Sequence, residues 1–461
     1  FVAVSIREVL RDPFKHIHVA PDTPPTLNPD QSAAVEQIVA ALGSYKGFLL
    51  DGITGSGKTE VYLAAIQGAL ARDEGALVLV PEIALTPQLV SRFRARLGDR
   101  VAVQHSGLDP AARREQWVRI ASGELPVVIG ARSALFAPVR RVGVIVVDEE
   151  HEPSYKQDVA PRYHARDLAL VRGHLSRVPV VLGSATPSLE SWANQTRGKL
   201  THIRLPKRVR SRPLPEVSLV DMRDAAHVGP RGVLSSELVD AMAETLERGE
   251  QVILFLNRRG YAPSMSCTAC GEAVQCASCS VSMTWHRARG RLVCHYCDEV
   301  EPLPKRCPGC ATDGLKEVGA GTEHVETQLN ALFRSARIAR MDRDTTRGHS
   351  MAKLLGAFRA GEIDILIGTQ IVAKGHNFPN LTLVGVVDAD SGMKGGDLRA
   401  GERTYQLLSQ VAGRAGRAER PGRALIQTYG PENPAMIALA AGDRDGFLQI
   451  ERDVRAELML P

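Results

Sequence analysis

The strongest chemical signal in this chain is an eight-residue run, residues 52–59, whose letters are GITGSGKT. The run matches G-x-x-x-x-G-K-[ST], the pattern of a loop that binds nucleotide phosphates. Residues 47–51 before it read as a buried strand, and residues 60–66 after it carry helical spacing. Glycine lets the backbone approach the phosphates, and N–H groups at the start of the helix face the negative charge. Lysine would reach the terminal phosphates, and the threonine hydroxyl would bind Mg²⁺. The predicted nucleoside triphosphate site consists of Gly52, Gly55, Gly57, Lys58 and Thr59.

Two acids at the end of a second apolar strand, residues 144–147, predict the catalytic part of the same site. The next four residues spell DEEH, and parallel strands bring their carboxyl ends to one edge of a sheet. Asp148 would hold Mg²⁺ through water, and Glu149 would polarise the attacking water. His151 could couple this site to a neighbouring lobe or to DNA. An acidic strand end that merely caps a helix is the alternative, which a phosphate loop at this distance disfavours.

Two further segments of the same region could serve a nucleotide site. Residues 183–187, GSATP, resemble the S-A-T motif with which helicases relay the nucleotide state. Alternatively, a serine or threonine here caps a helix over residues 188–193. Gln31 resembles the glutamine that reads adenine in many helicases, whereas a lone glutamine is usually an ordinary surface residue.

A second group of motifs lies near the end of the chain. Arg414 and Arg417 stand three residues apart in the run QVAGRAGR. We expect this run to be helical, with both guanidinium groups on one face. There they would stabilise the charge that spreads in the transition state of phosphoryl transfer, as arginine fingers do. Gln410, at the start of the run, is predicted to contact the nucleotide.

Residues 367–375 follow another apolar strand and resemble a helicase motif that grips a nucleic-acid backbone. Within this segment, Thr369 and Lys374 are the predicted phosphate contacts. In this order and spacing, the motifs together indicate a superfamily 2 helicase.

The cysteines form four C-x2-C pairs and occur nowhere else in the chain. The pairs are Cys267 and Cys270, Cys276 and Cys279, Cys294 and Cys297, and Cys307 and Cys310. Eight thiolates are enough for two tetrahedral zinc sites, which are structural because no coordination position stays open. The spacing leaves three ways of combining the pairs. A disulfide module and an iron–sulfur cluster are the weaker alternatives.

Composition sets the class of protein. The chain has 461 residues, 44% of them hydrophobic and 24% charged, with a formal net charge of +5. This length exceeds one ordinary core, so two or three domains are expected. The mild positive charge is compatible with nucleic-acid binding without identifying it. No apolar run reaches the ~18 residues of a membrane span, and clustered cysteines favour a reducing compartment, so we expect a cytoplasmic protein.

Apolar strands alternate with amphipathic helices twice along the chain, which predicts two α/β lobes with parallel sheets. Residues 1–26 are predicted to be a linker, and residues 27–205 the first, ATP-binding lobe. Residues 206–263 would begin the second lobe, which a zinc-binding module over residues 264–311 interrupts. Residues 312–461 would complete it.

With these residues in view, the chain resembles the bacterial primosomal replication-restart helicases, and the resemblance covers nearly all of its length. Further runs that match this family are SYKQ, RYHARD, FLNRRG, GTE and DRDTT, at residues 154–157, 162–167, 255–260, 321–323 and 342–346. The resemblance implies two RecA-like lobes with ATP between them and a double-zinc module inserted in the second. It also implies a nested cysteine pairing, in which the first and last C-x2-C pairs share one zinc and the inner two pairs share the other.

In this family an aromatic-rich loop after the DEEH box couples DNA binding to ATP hydrolysis. The matching residues are His151, Tyr155, Lys156, Arg162, Tyr163 and His164. Two departures bear on this coupling. Pro161 stands where some relatives carry a tryptophan, which would lower DNA-stimulated turnover. Residues 391–396 are glycine-rich, and we assign no DNA contact there.

The implied activity is that of an ATP-dependent, 3′-to-5′ DNA helicase that acts in replication restart at abandoned forks. It would use ATP, Mg²⁺ and two Zn²⁺, and bind single-stranded and forked DNA, single-strand-binding protein and other primosome proteins, as a monomer. Because the family carries further N-terminal and C-terminal domains, the chain is expected to be a motor-core fragment. The alternative is a DNA-binding platform for primosome assembly with a weak or vestigial ATPase.

Overall fold

The computed structural model describes residues 20–81, 87–105, 108–209, 214–228, 233–256, 264–278, 282–286, 290–294, 297–318, 322–341, 349–369, 378–393, 397–416 and 420–460. The chain divides into two compact units, Phe1–Ser211 and Arg212–Pro461. Each unit contains one parallel sheet.

The first unit alternates strands with helices. In chain order its elements are α1 (Pro29–Ala40), β1 (Gly47–Gly52), α2 (Lys58–Leu70), β2 (Gly75–Leu79), α3 (Pro87–Leu97), β3 (Val101–Gln104), α4 (Pro110–Ser122), β4 (Val127–Gly130), β5 (Val142–Asp148), β6 (Lys156–Gln157), β7 (Tyr163–His164), α5 (Ala165–Ser176), β8 (Val180–Ser184), α6 (Leu189–Thr196) and β9 (Thr201–Leu205). Seven strands form a parallel sheet in the order β3-β4-β2-β5-β8-β1-β9. The other two, β6 and β7, form an antiparallel hairpin.

Apolar side chains cover both faces of this sheet, because successive residues of a strand point to opposite sides. In β1, Phe48 and Leu50 belong to one buried cluster, whereas Leu49 between them belongs to another. Ile145 and Val146 of β5 divide in the same way. Strands buried on both faces read as continuous apolar runs, which is why the sequence predicts them.

The edge strand β9 has a different pattern, and the sequence does not predict it. It alternates polar and apolar residues, and two of its polar side chains meet the end of β1. His202 Nε2 lies 3.1 Å from Asp51 Oδ2, and Arg204 Nε lies 3.7 Å from the same oxygen. An edge strand needs an apolar side chain on one face only, so its sequence carries a weaker signal.

The second unit follows the same plan. In chain order its elements are β10 (Glu216–Asp221), β11 (His227–Val228), β12 (Leu234–Ser235), α7 (Ser236–Glu247), β13 (Gln251–Leu256), β14 (Ser264–Cys267), β15 (Thr284–His286), β16 (Arg291–Val293), β17 (Val300–Pro302), β18 (Leu315–Val318), α8 (Thr322–Leu332), β19 (Ile338–Met341), α9 (His349–Arg359), β20 (Ile365–Gly368), β21 (Leu381–Asp388), α10 (Ala400–Ala412), β22 (Arg423–Thr428), α11 (Pro434–Ala441) and α12 (Arg444–Glu457). Its parallel sheet has the order β10-β22-β21-β13-β20-β19.

The cysteine-rich part of the second unit forms a separate small sheet. Its strands are antiparallel and have the order β17-β16-β15-β14-β18. Its small core consists of the buried side chains of Met265, Val274, Cys276, Met283, Leu292 and Cys294. The predicted fold class, two parallel α/β lobes with a cysteine module inserted in the second, is confirmed.

One helix ends earlier than the sequence predicts. α10 ends at Ala412, Gly413 caps it, and Arg414 lies in the turn that follows. The prediction that Arg414 and Arg417 share one helical face is therefore wrong. Arg417 itself lies outside the described residues.

A close approach of two glycines explains why the helix stops. Gly416 has a φ of +64°, which is left-handed and cannot continue an α-helix. A Cβ atom at Gly416 would lie 2.4 Å from the backbone nitrogen of Gly422. The N–H of Gly416 donates instead to the carbonyl of Leu381 in β21, at 3.1 Å. The glycines of this motif thus turn the chain back onto the sheet.

Among the described residues, none of the helices combines the length and the apolar character that crossing a membrane requires.

Candidate functional site

Three of the predicted motifs begin at the carboxyl ends of three neighbouring strands. β1 ends at Gly52, β5 at Asp148, and β8, which lies between them, at Ser184. In the strand register, Asp148 is paired with Gly183, and Asp51 with Ser184. The structure therefore brings the phosphate loop, the DEEH box and the S-A-T loop together at one edge of the first sheet.

The phosphate loop leads directly into α2. Gly57 is the N-cap of this helix, at a φ of +83°, and no side chain caps the helix. Gly55 also has a positive φ, of +85°, so both positions suit glycine. Lys58 Nζ donates to the carbonyl of Gly52 at 2.7 Å, and Thr59 follows in the first helical turn. Backbone N–H groups at such a helix start form an anion-binding site.

Gln31 reaches this loop from the first turn of α1. Its Oε1 accepts a hydrogen bond from the backbone N–H of Asn28, the N-cap, at 2.9 Å. Its Nε2 donates to the carbonyl of Ser56 at 2.8 Å, and the residue is only 4% exposed. The structure thus places Gln31 at the phosphate loop, where the oxygen and the nitrogen of its side-chain amide are both held by the backbone.

Two tyrosine hydroxyls hold Asp148, one at its carboxyl group and one at its backbone carbonyl. Tyr62 of α2 donates its hydroxyl hydrogen to Asp148 Oδ1 at 2.9 Å, and Tyr155 donates to the backbone carbonyl of Asp148 at 2.6 Å. A Cβ atom at Gly183 would lie 1.7 Å from the Tyr62 hydroxyl oxygen, so glycine is required there. Burial of the carboxyl group, reinforced by the charge of Glu149, raises the pKa of Asp148 to about 6.

His151 connects the acids to the S-A-T loop. Its Nδ1 lies 2.7 Å from Ser184 Oγ and 3.7 Å from a carboxylate oxygen of Glu149. Ser184 Oγ also accepts a hydrogen bond from the backbone N–H of Thr186 at 2.9 Å. Glu149 has a φ of +48°, a conformation that costs a non-glycine residue about 1–3 kcal/mol. These contacts give a continuous path from the predicted water-activating acid to the loop after β8.

Glu150, the remaining acid of the DEEH box, is completely buried. It accepts hydrogen bonds from the N–H and hydroxyl of Ser188, at 2.7 and 2.9 Å, and from the hydroxyl of Ser191 at 2.7 Å. Arg166 lies 3.3 Å away and also donates to Ser188 Oγ at 2.6 Å. Ser188 is the N-cap of α6.

Sequence reasoning assigned no role to Glu150 or Arg166, although both letters stand in the DEEH and RYHARD runs. A charged residue within each family run was the only available signal. The ion pair joins β5, α5 and α6, and therefore fixes the DEEH box relative to the S-A-T loop.

The predicted coupling loop is the hairpin of β6 and β7. Tyr155, before the hairpin, is only 1% exposed and faces the DEEH box. Lys156 and Arg162 are exposed, whereas Tyr163 and His164 are partly exposed. The hairpin thus presents positive charge to solvent, while Tyr155 directly before it contacts the DEEH box.

The base of this hairpin is held to the preceding loop. Arg132 Nη1 donates to the carbonyls of Ser154 and Lys156, at 3.1 and 3.0 Å. The ring of Tyr163 packs edge-on against that of Phe136, with centroids 5.3 Å apart. Phe136 is 49% exposed, a prominent aromatic surface that sequence reasoning did not single out.

The predicted sites of the second unit are only partly described. Thr369 directly follows β20, and Gln410 is 6% exposed on α10. Arg414 is partly exposed in the turn after α10. Lys374 lies outside the described residues, like Arg417.

The outer cysteine pairs converge on one point. The sulfur atoms of Cys267, Cys270, Cys307 and Cys310 all lie within 4.8 Å of one another. The Thr312 hydroxyl lies 3.3 Å from the first of these sulfurs and 3.1 Å from the last. Although burial opposes it, hydrogen bonding led by Thr312 lowers the pKa of Cys267 to about 6. A thiolate is the form that binds a metal.

The inner pairs form a second cluster. Cys276, Cys294 and Cys297 also lie within 4.8 Å of one another, and Cys279 lies outside the described residues. Cys276 Sγ lies 3.6 Å from Glu299 Oε2, which accepts a hydrogen bond from Ser278. The described cysteines are free thiols. Unbonded thiols at this separation fit a four-cysteine zinc site, and the grouping is the nested one among the three possibilities.

Three family models match the chain. They are DEAD/DEAH box helicase over residues 28–194, PriA DNA helicase Cys-rich region domain over residues 276–302, and Helicase conserved C-terminal domain over residues 318–419.

Curated relatives extend the similarity over the whole chain. Replication restart protein PriA of Bacillus subtilis is 48% identical over 460 residues, which cover 99% of this chain and 57% of that protein. Replication restart protein PriA of Rickettsia conorii is 43% identical, over 94% of this chain and 67% of the relative. The chain thus spans little more than half the length of the Bacillus relative.

Solved structures show the same fold at low sequence identity. RecG bound to a three-way DNA junction has a TM-score of 0.55 at 17% identity, over 94% of this chain and 47% of its own. Mss116p bound to single-stranded RNA and AMP-PNP has a TM-score of 0.52 at 15% identity, over 90% of this chain and 72% of its own.

Proposed function

The chain belongs to the replication restart protein PriA family, and on this premise we propose that it is the motor of an ATP-dependent DNA helicase. We infer that it moves 3′ to 5′ along DNA and acts in replication restart at stalled or abandoned forks. The observation that supports this function best is the convergence of phosphate loop, DEEH box and S-A-T loop at three adjacent strand ends. A glycine-rich turn without a role in nucleotide binding would not be expected at the same sheet edge as the paired acids.

The proposed nucleotide contacts follow from that edge. Backbone N–H groups of the loop and the start of α2 hold the phosphates. Lys58 would leave the Gly52 carbonyl and bind the terminal phosphates, while Thr59 would bind Mg²⁺ and Asp148 would hold it through water. Gln31 recognises adenine, as in the helicases that it resembles. Adenine recognition predicts tighter binding of ATP than of GTP, and this preference should weaken in Gln31→Ala.

In hydrolysis, Glu149 is the proposed general base that orients and polarises water. His151 is proposed to report the state of this acid to Ser184. Arg414 and Arg417 are proposed to neutralise the transferring phosphoryl group. Removing Arg417 should slow hydrolysis by about 10³-fold while nucleotide affinity changes little. Equal losses in both quantities would contradict its role as a finger.

DNA is the proposed polymer substrate, and the β6–β7 hairpin is its proposed sensor. Lys156 and Arg162 would contact DNA phosphates, and Tyr163 and His164 would respond to the strand, with Tyr155 transmitting this state to Asp148. In the second unit, Thr369 and Lys374 are further proposed backbone contacts. Hydrolysis stimulated by single-stranded DNA should therefore become DNA-independent in Lys156→Ala/Arg162→Ala, with basal turnover retained.

The cysteine clusters are proposed to hold two structural zinc ions, one per group of four cysteines. Their donor sets leave no position for a substrate, so the ions would stabilise the module rather than take part in hydrolysis. The proposed partners are single-stranded and forked DNA, single-strand-binding protein and other primosome proteins, met by a monomer in the bacterial cytoplasm.

The decisive experiment measures ATP hydrolysis by this chain with and without single-stranded DNA, beside Lys58→Ala. A DNA-stimulated rate that falls by about 10²–10³-fold in the variant supports the motor. A folded wild-type chain that binds DNA but hydrolyses no ATP would favour the assembly platform.

Direction needs a separate measurement. Partial duplexes with a 3′ or a 5′ single-stranded tail distinguish the two polarities. Unwinding that requires the 3′ tail supports 3′-to-5′ movement, and unwinding that requires the 5′ tail contradicts it.

A further inference from the structure

The phosphate loop is held by its carbonyl groups. Lys58 Nζ donates to the carbonyl of Gly52, and Gln31 Nε2 to that of Ser56, at 2.7 and 2.8 Å. The carbonyl of Ile53 accepts from the N–H of Ser56 at 3.0 Å. These bonds leave two carbonyls at the tip of the loop, those of residues 54 and 55.

Both tip carbonyls accept hydrogen bonds from one distant stretch of chain, residues 205–209, which we term the connecting segment. Arg208 Nε donates to the carbonyl of Thr54 at 3.1 Å. The N–H of Val209 donates to the carbonyl of Gly55 at 3.0 Å. The connecting segment is the stretch that precedes the boundary between the two units at residues 211 and 212.

Strand register explains how this segment reaches the loop. β9 is parallel to β1, and Leu205 at its end is paired with Gly52 at the end of β1. The two chains leave the sheet side by side, and the N–H of Ile53 still donates to the carbonyl of Leu205, at 3.3 Å. A segment that leaves an edge strand in parallel must pass beside the loop of its neighbour.

Arg208 fits closely against the loop. It is only 6% exposed. Its Cγ and Cδ atoms would lie 3.6 and 3.9 Å from a Cβ atom at Gly55, where φ is +85°. The aliphatic stem therefore covers Gly55, while Nε reaches the carbonyl of the preceding residue, Thr54.

A carbonyl and the N–H of the same peptide group point in opposite directions, because the peptide group is planar and trans. Because Arg208 Nε holds the carbonyl of Thr54, the N–H of Gly55 is turned the other way, whereas the N–H of Ser56 donates within the loop to the carbonyl of Ile53. The N–H of Gly55 can then contribute to a backbone anion site. Such preorganisation removes an ordering cost that the ligand would otherwise meet on binding.

We propose that Arg208 is a positioning residue for nucleotide binding, which acts by holding the Thr54 carbonyl through Nε rather than by its charge. The proposal rests on the proposed function of this loop as the nucleotide site. It extends the site to the connecting segment, which no motif in the sequence indicates.

Two substitutions separate geometry from charge. Arg208→Gln places an amide nitrogen at the same number of bonds from Cα as Nε of arginine, and removes the charge. Arg208→Lys keeps the charge but moves the nitrogen one bond further out. Arg208→Met keeps an unbranched stem over Gly55 but has neither the donor nitrogen nor the charge. The neighbouring Lys207 is exposed, and no hydrogen bond or ion pair joins it to the described residues, so Lys207→Met is the matched control.

Dissociation constants are measured with fluorescent ADP and with a non-hydrolysable ATP analogue. We expect Arg208→Met to weaken both by about tenfold and by the same factor, because one buried hydrogen bond is lost. Arg208→Gln should bind within about threefold of wild type, and Lys207→Met like wild type. Hydrogen–deuterium exchange at the amides of residues 55–57, without nucleotide, should be faster in Arg208→Met than in Arg208→Gln.

Three results would overturn the proposal: unchanged affinity in Arg208→Met, equal losses in the glutamine and methionine variants, or full rescue by Arg208→Lys with none by Arg208→Gln. If Arg208→Met does not fold, the comparison between Arg208→Gln and Arg208→Lys decides alone. A folded wild-type chain that binds no nucleotide would instead contradict the proposed function itself, whereas normal binding by wild type with unaffected variants contradicts only the role of Arg208.

Discussion

In the first unit, β1, β5 and β8 end at one edge of the sheet, which we term the nucleotide edge after its proposed ligand. This edge and the cysteine module of the second unit hold their functional groups by different means. At the nucleotide edge, a seven-stranded sheet with buried clusters on both faces positions the loops. Protein hydrogen bonds then hold the side chains, as at Asp148 and Glu150. The cysteine module has five short strands and a small core, and the sulfurs of its outer cysteine pairs are crowded within 4.8 Å.

This difference indicates where the stability of each region comes from. The carboxylates of Asp148 and Glu150 already accept hydrogen bonds from protein donors, so this edge can form before its ligand binds. Metal binding requires thiolates, and thiolates crowded together would repel one another, so we expect a bound cation to stabilise the module. The first unit thus positions its functional groups through its own core, whereas the cysteine module is expected to depend on a bound ion.

Loss of a zinc ligand should have the largest effect, and this effect should be confined to the cysteine module. We expect Cys270→Ser to lower bound zinc from two ions per chain to one, and to open residues 264–318 to proteolysis. The apparent binding energy of a structural zinc is about 10–16 kcal/mol, which a core this small cannot replace. Metal analysis and limited proteolysis test this, with nucleotide affinity of the first unit expected to stay unchanged. Two bound zinc ions in Cys270→Ser would show that the outer cluster is not a metal site.

The corresponding disruption at the nucleotide edge is Glu150→Gln. The substitution keeps the shape of the side chain but removes the buried counter-charge of Arg166, which retains only the more exposed Asp167 and Glu190. This loss should lower the free energy of unfolding by about 3 kcal/mol. Chemical denaturation of the first-unit transition measures it. In the double variant Glu150→Gln/Arg166→Met the loss should be smaller than the sum of the single losses. Zinc content should remain two ions, and a fall in zinc would mean that the two regions are not independent.

A smaller effect is expected when a group that supports the outer cysteine cluster is removed. Thr312→Val has the same shape as threonine but loses the hydroxyl that contacts Cys267 and Cys310. Supporting groups of this kind change metal affinity by about 10–100-fold, and we expect the lower value at this exposed position. Competition with a zinc chelator measures the affinity. An unchanged zinc affinity would contradict a role for the hydroxyl.

The smallest expected effect comes from the equivalent change at the nucleotide edge, Tyr62→Phe. It removes one hydrogen bond to Asp148 and should lower the free energy of unfolding by about 1–3 kcal/mol. The rest of the buried ring keeps its packing, so nucleotide affinity without Mg²⁺ should not change. Thermal unfolding and nucleotide titration check both statements, and a loss of Mg²⁺-independent nucleotide binding would show that Tyr62 acts on the whole loop.

Local patterns in the sequence were sufficient for much of this protein. The phosphate loop, the DEEH box and the C-x2-C pairs are contiguous, so each motif is complete within a few residues. Continuous apolar runs such as residues 47–51 and 144–147 predicted the buried parallel strands, because both faces of those strands are covered. The fold class and the family follow from such local signals.

Only the tertiary structure decided which distant residues meet. The spacing of the cysteines permits three pairings, and the antiparallel sheet of the module selects the nested one. Strand order places Glu150 beside Arg166 and the connecting segment beside the phosphate loop, 154 residues apart at Arg208 and Thr54. Tertiary contacts also end α10 at Ala412, because the close approach of Gly416 and Gly422 overrides the helical spacing of the arginines. Side-chain periodicity states which face of an element is buried but not which element covers it, and these contacts depend on that second fact.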